Sequence, residues 1–135
     1  MTGFVKKLLV FIVAINAMFL SGCFVGRTGP EGASLRKYLK PDSLKALTEN
    51  PRDEIWIVDV RPKSAYNSGH IPTARSYPSS EILKRIDEIP KGKYLILYCE
   101  TGGRAQRVLN DLKKIGYKRL MNWGSYRRWR WEYER

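Results

Sequence analysis

Six consecutive residues, Cys99, Glu100, Thr101, Gly102, Gly103 and Arg104, have the types and spacing that chemistry at sulfur requires. An apolar run from Tyr94 to Tyr98 leads straight into Cys99, and Ala105, Val108, Leu109, Leu112 and Ile115 follow at helical spacing up to Gly116. That order predicts a buried strand, a glycine turn and the N-terminus of a helix. The backbone N–H groups of such a turn converge on whatever sits at the sulfur and favour an anion there. The helix dipole and Arg104 stabilise a thiolate over a thiol, while Gly102 and Gly103 permit positive φ and leave the approach to the sulfur open. A cysteine cradled this way is a nucleophile that needs no neighbouring base. A structural cysteine ending a strand would require neither the two glycines nor the arginine.

The remaining elements must hold that loop in place. Pro41 opens a short helix running to about Thr48, with Leu44 and Leu47 facing inward and Asn50-Pro51 stopping it. Ile55, Trp56, Ile57, Val58, Asp59 and Val60 are apolar on both faces, as in a strand of a parallel sheet. Pro62 to Ser68 predicts a helical turn ended by Gly69, and Arg75 to Tyr77 a short strand. Ser79 or Ser80 caps a helix carrying Ile82, Leu83, Ile86 and Ile89, which Pro90 and Gly92 break. Arg119 to Asn122 reads as the last strand, with an aromatic-rich helix after Ser125. Strands alternating with helices argue for a parallel sheet covered on both faces, its site beyond the carboxyl ends of the strands, where Cys99 falls.

The 135 residues fit one small domain with an appendage, which excludes repeat arrays and multidomain enzymes. With 25 Lys and Arg against 13 Asp and Glu, the net charge of +12 favours an anionic partner. Two Cys and one His cannot build a four-ligand zinc site or a disulfide framework, and nothing in the sequence implies a metal or organic cofactor. Asp59 and Arg61 read as a structural ion pair, and His70 as a hydrogen-bonded packing residue. From Trp123 to Arg135, Trp123, Tyr126, Trp129, Trp131 and Tyr133 interleave with Arg127, Arg128 and Arg130. In a cytosolic protein that mixture would suggest nucleic acid; Trp129 is expected in the core, and the arginines are either solvated or directed at anionic lipid.

Residues 1–22 carry no acidic side chain, place Lys6 and Lys7 before an apolar run from Leu8 to Leu20, and end in small residues, the layout of a signal peptide. The run is short of the roughly 20 residues that span a membrane. Leu20-Ser21-Gly22-Cys23 resembles the lipobox of bacterial lipoproteins, which implies cleavage before Cys23 and lipid on its sulfur. Residues 23–33, with Gly26, Gly29, Pro30 and Gly32, then read as a lipidated Cys and a flexible tether, and residues 34–135 as the domain. Export leaves Cys99 as the free thiol, argues against nucleic acid, and places the chain in the bacterial cell envelope facing the periplasm. With Phe24 rather than Asp after Cys23, the outer membrane is favoured in a Gram-negative host.

Three blocks together resemble the single-domain rhodaneses, a sulfurtransferase family. They are Ile57-Val58-Asp59-Val60-Arg61; Tyr66 followed by Gly69-His70-Ile71-Pro72 and Ala74; and the loop Cys99 to Arg104. The resemblance extends over about residues 34–135. It implies a three-layer α/β/α fold around a central parallel five-stranded sheet; separately from the resemblance, the chain is expected as a monomer. The resemblance also implies that Cys99 takes a sulfane sulfur from thiosulfate or a persulfide and passes it to a thiophilic acceptor such as cyanide or a thiol. Backbone N–H groups of Glu100, Thr101, Gly102, Gly103 and Arg104 would hold the persulfide, with Arg104 donating to substrate oxygens.

The sequence departs from the family pattern at Ala65, often acidic; at Thr73, commonly Gly; and at Ala105, frequently Ser. Glu100 at the loop mouth opposes a dianionic donor, which predicts weak use of thiosulfate. Phosphatases and arsenate reductases of the same fold place five residues between Cys and Arg, against four here, which suits a sulfur atom better. A catalytically idle binding module on the membrane surface is the rival reading from another class.

Overall fold

The computed structural model describes residues 24–135. The signal peptide expected over 1–22 and the lipidation expected at Cys23 lie outside the described residues. A 3-10 helix over Ala33–Leu39 leads into α1 (Pro41–Glu49), β1 (Ile55–Asp59), α2 (Lys63–Ser68), β2 (Arg75–Ser76), β3 (Tyr94–Cys99), α3 (Gly103–Lys114) and β4 (Leu120–Ser125). The strands form one parallel sheet in the order β2-β1-β3-β4.

Side-chain alternation divides the two cores. Leu95, Leu97 and Cys99 of β3 point to one face, packing with Val58 and Val60 against Ala105, Val108, Leu109 and Leu112 of α3. Ile96 and Tyr98 point to the other, packing with Ile57, Met121 and Trp123 against Leu35, Leu44, Leu47 and Trp129. This period of two, with both faces covered, is why the strands read as continuous apolar runs. Tyr98 is fully buried, its hydroxyl accepting the Ile71 N–H at 3.1 Å, and burial pushes its phenol well above the ordinary range.

Four strands make the sheet rather than the five implied by the resemblance. The outer edge of β4 is covered by residues 26–31, which hydrogen-bond along it in the antiparallel sense with an isolated bridge between Thr28 and Met121. The stretch expected to be a flexible tether is therefore docked on the sheet. Its glycines serve close approach: a Cβ built on Gly32 would sit 2.0 Å from the Leu120 carbonyl oxygen.

Two helices expected from periodicity are replaced. Between Pro78 and Ile89 the chain mixes three- and four-residue bonds, the Pro78 carbonyl accepting from both Glu81 and Ile82, and only Ile86–Glu88 forms a 3-10 turn. Ile82 and Ile89 are buried as their spacing predicted, but Leu83 is 47% exposed. After the single 3-10 turn Tyr126–Arg128 the chain runs extended, because Glu134 exchanges both backbone hydrogen bonds with His70 (2.9 Å each). Trp129 is buried as expected, packing edge-on against Trp131.

Thr73 is the one described non-glycine residue with positive φ, at +69°. A β-branched side chain is strained there, so the departure from Gly noted in the sequence has a conformational cost. Thr73→Gly should stabilise the domain by about 1 kcal/mol, net of the extra chain entropy of glycine, raising the melting temperature by roughly 4–8 °C. A thermal scan showing no rise would mean that the strain is relieved locally.

Candidate active site

β3 ends on Cys99, and after three intervening residues the chain enters α3 at Gly103. Gly102 makes the turn at φ +95°, and a Cβ there would lie 3.1 Å from Gly124 Cα, so conformation and space both call for glycine. Gly103 is already helical, so the positive φ expected of both glycines is needed only at Gly102. The Cys99 side chain is buried, and its Sγ accepts the Gly102 N–H at 3.0 Å and the Ala105 N–H at 3.4 Å. The sulfur thus sits at the positive end of α3, where the first N–H groups have no intrahelical acceptor.

β4 fixes the turn from the side. Asn122, fully buried, donates from Nδ2 to the Gly102 carbonyl (2.9 Å) and to Gln106 Oε1 (3.2 Å), while its Oδ1 accepts the Gly124 N–H at 2.9 Å. Ser125 Oγ donates to the Glu100 carbonyl at 2.6 Å. A register shift opposite Leu97 and Tyr98 lets β4 present both side chains to the turn. The carbonyls of Glu100 and Gly102 are thus held toward β4, on either side of the peptide whose N–H, that of Gly102, reaches the sulfur. Sequence reasoning missed Asn122 and Ser125 as positioning residues. The available signal was a polar residue inside an otherwise apolar last strand.

Above the turn lies a cavity of about 430 Å³ lined by Cys99, Glu100, Thr101, Gly103, Arg104 and Arg107. All the sequence-predicted loop residues line it except Gly102, which lies beneath, bonded to the sulfur. Arg107 is the addition. It lies three residues beyond Arg104 on α3 and so on the same helix face, a spacing visible in the sequence. Among the described residues neither arginine has an ion-pair partner. Glu100 does: its Oε1 accepts from Arg127 at 2.9 Å. Hydrogen bonding with Tyr126 and the Glu100 charge hold the Arg127 guanidinium above its ordinary value. The cavity can therefore receive an anion against two guanidinium groups, its one carboxylate already paired.

Asp59 and Arg61 form the structural pair expected of them, buried beneath the site. Arg61 donates to both carboxylate oxygens of Asp59 (2.7–3.0 Å) and to the Gly69 carbonyl at 2.7 Å. Burial disfavours the Arg61 charge, but Asp59 outweighs it and raises the guanidinium above its ordinary value. His70 stacks on Tyr66 at 3.7 Å, with Nδ1 3.0 Å from the Tyr66 carbonyl, and is a packing residue.

The family model for the rhodanese-like domain matches residues 40–131. A curated relative, the uncharacterised protein YqhL of Bacillus subtilis, is 34% identical over 91 residues, which span 64% of this chain and 72% of that protein. A sulfurtransferase of Allochromatium vinosum is 33% identical over 70 residues, covering 52% of this chain and 65% of its own length. Among solved structures, a rhodanese-like domain protein from Staphylococcus aureus superposes with a TM-score of 0.61 at 26% identity, over 70% of this chain and 92% of that one.

Proposed function

Since the chain belongs to the rhodanese-like domain family, we propose that it is a sulfurtransferase working through a persulfide on Cys99. One observation carries the reading: Cys99 Sγ is held by two backbone N–H groups at the head of α3, under a cavity with two guanidinium groups at its wall. In the first half-reaction the Cys99 thiolate attacks the outer sulfur of a donor. With thiosulfate, the new S–S bond forms as the donor's S–S bond breaks, the electron pair leaves with sulfite, and Cys99 carries a persulfide anion. In the second, a nucleophile such as cyanide takes the outer sulfur as thiocyanate and the thiolate returns. Charge balances in both steps, and no proton transfer is required of a side chain. The N–H groups around the turn stabilise the anion on either sulfur, and Arg104 and Arg107 receive the oxygens of the donor.

The full chain supplied with thiosulfate and cyanide should release thiocyanate catalytically. A folded protein inert toward thiosulfate and toward an organic persulfide would instead support a module that binds without turnover.

The Glu100–Arg127 pair sets how well a dianion is received. Glu100→Gln removes the opposing charge and should lower the thiosulfate KM about threefold, whereas Arg127→Gln exposes that charge and should raise KM by a similar factor. Both effects should shrink at high salt while kcat stays put. Equal KM values in the two variants at low salt would mean that the carboxylate does not reach the donor.

The same reading places the domain in the cell envelope, tied to a membrane by lipid on Cys23, with small sulfur anions or persulfides as donors. The N-terminal run and the lipobox-like Leu20-Ser21-Gly22-Cys23 support it. The wild-type chain expressed in bacteria should incorporate labelled palmitate and Cys23→Ser should not; equal labelling of the two, or none of the wild type, would contradict lipid anchoring at that residue.

A further inference from the structure

The segment along β4 determines where the N-terminal residues meet the domain. Glu31 N–H donates to the Lys118 carbonyl (2.8 Å), Gly29 N–H to Leu120 (2.9 Å) and Gly26 N–H to Asn122 (2.7 Å). Followed toward lower residue numbers, these bonds advance from just before β4 to Asn122, in the direction of the strand's carboxyl end. That end carries the site, because Ser125 is the register partner of Cys99. The segment arrives with Val25 on Gly124, where a Cβ would lie 2.7 Å from Val25 Cγ2, and Gly124 in turn backs on Gly102. Residues 1–23 therefore join the domain at the active-site end. They contain Lys6, Lys7 and the apolar run Leu8–Leu20, which directs this end to a membrane whether Cys23 is lipidated or the run is retained.

The surface at this end has the chemistry of a membrane interface. Phe24 and Val25 are two of four large apolar side chains exposed among the described residues, at 39% and 37%. Arg104 and Arg107 line the cavity, Arg127 pairs with the Glu100 carboxylate, and the Arg128 side chain lies against Gly124. At the opposite end Arg52 and Arg119 are each paired with a carboxylate, Glu54 and Glu31, and the exposed Ile115 shares its surface with Lys91 and the acidic Asp87. Cationic and apolar groups on one rim fit anionic phospholipid head groups above an acyl layer.

We propose that the active-site end of the domain docks on an anionic phospholipid surface, so that the mouth above Cys99 opens toward the head groups. From the proposed function this takes the location of the mouth and the tie of the N-terminal residues to a membrane.

Hydrogen–deuterium exchange of the full chain, compared between nonionic micelles, phosphatidylcholine vesicles and vesicles rich in phosphatidylglycerol, tests it. Amides at 24–27, 100–104 and 126–130 should slow at least about threefold in the anionic vesicles, with those at 50–54, 90–93 and 116–119 unchanged. No slowing, slowing at the opposite end, or equal slowing in pure phosphatidylcholine would overturn the proposal. Exchange is read without turnover, so an inactive protein that shows the expected pattern would sink the sulfurtransferase reading and leave the docking surface standing.

Discussion

Cys99→Ser should lower sulfur transfer at least about a thousandfold while leaving the fold intact. A serine Oγ at this buried position can accept the same Gly102 and Ala105 N–H bonds that hold the sulfur. It has nearly the same volume, so the core beside α3 keeps its packing and the melting temperature should move little. What is lost is the reacting atom, because a hydroxyl is not appreciably ionised at neutral pH and does not form the sulfur–sulfur bond on which the transfer depends. Residual activity above a tenth of the original in a folded variant would place the nucleophile elsewhere.

The largest loss of stability is expected from Arg61→Met. Asp59 is fully buried, and Arg61 supplies the hydrogen bonds that its carboxylate receives from a side chain. Removing the guanidinium leaves an uncompensated buried charge, at a cost of about 3–5 kcal/mol, a large share of the roughly 5–15 kcal/mol that holds a domain together. The cost extends to Gly69, whose carbonyl loses its donor, and to Tyr126, whose ring lies 4.4 Å from the guanidinium. Asp59→Leu combined with Arg61→Met removes the stranded charge and should recover part of the loss. A double variant no more stable than the single one in denaturant titration would show that the guanidinium acts mainly through Gly69 and Tyr126.

Much of the site was legible because its signals are local. The apolar run into Cys99, the glycine at the turn and the helical spacing from Ala105 follow from backbone sterics within about twenty residues. The alternation that divides the sheet into two cores is local in the same way, and β1, β3 and α3 follow the sequence pattern closely. What was not legible depends on partners distant in the chain. Asn122 and Ser125 act on the loop only because β4 lies beside β3, and Glu100 is neutralised by a residue 27 positions away. The glycines of 26–32 read as flexibility but serve contact with β4. The aromatic tail read as a helix runs extended because His70 offers it a backbone partner. The segment at Ile82–Ile89 kept the burial of its helical spacing at two positions without forming the helix, so its periodicity reported which side faces the core rather than the backbone conformation.

The most direct measurement is the mass of the full chain after incubation with thiosulfate and removal of excess donor, followed by alkylation and mapping of the peptide spanning residues 94–104. A gain of one sulfur, about 32 Da, on that peptide and its absence in Cys99→Ser is the predicted result. It should disappear from the wild type on adding cyanide, as thiocyanate forms. A wild-type chain that carries no extra sulfur from thiosulfate or from an organic persulfide, or one that carries it on a peptide without Cys99, would contradict the persulfide account.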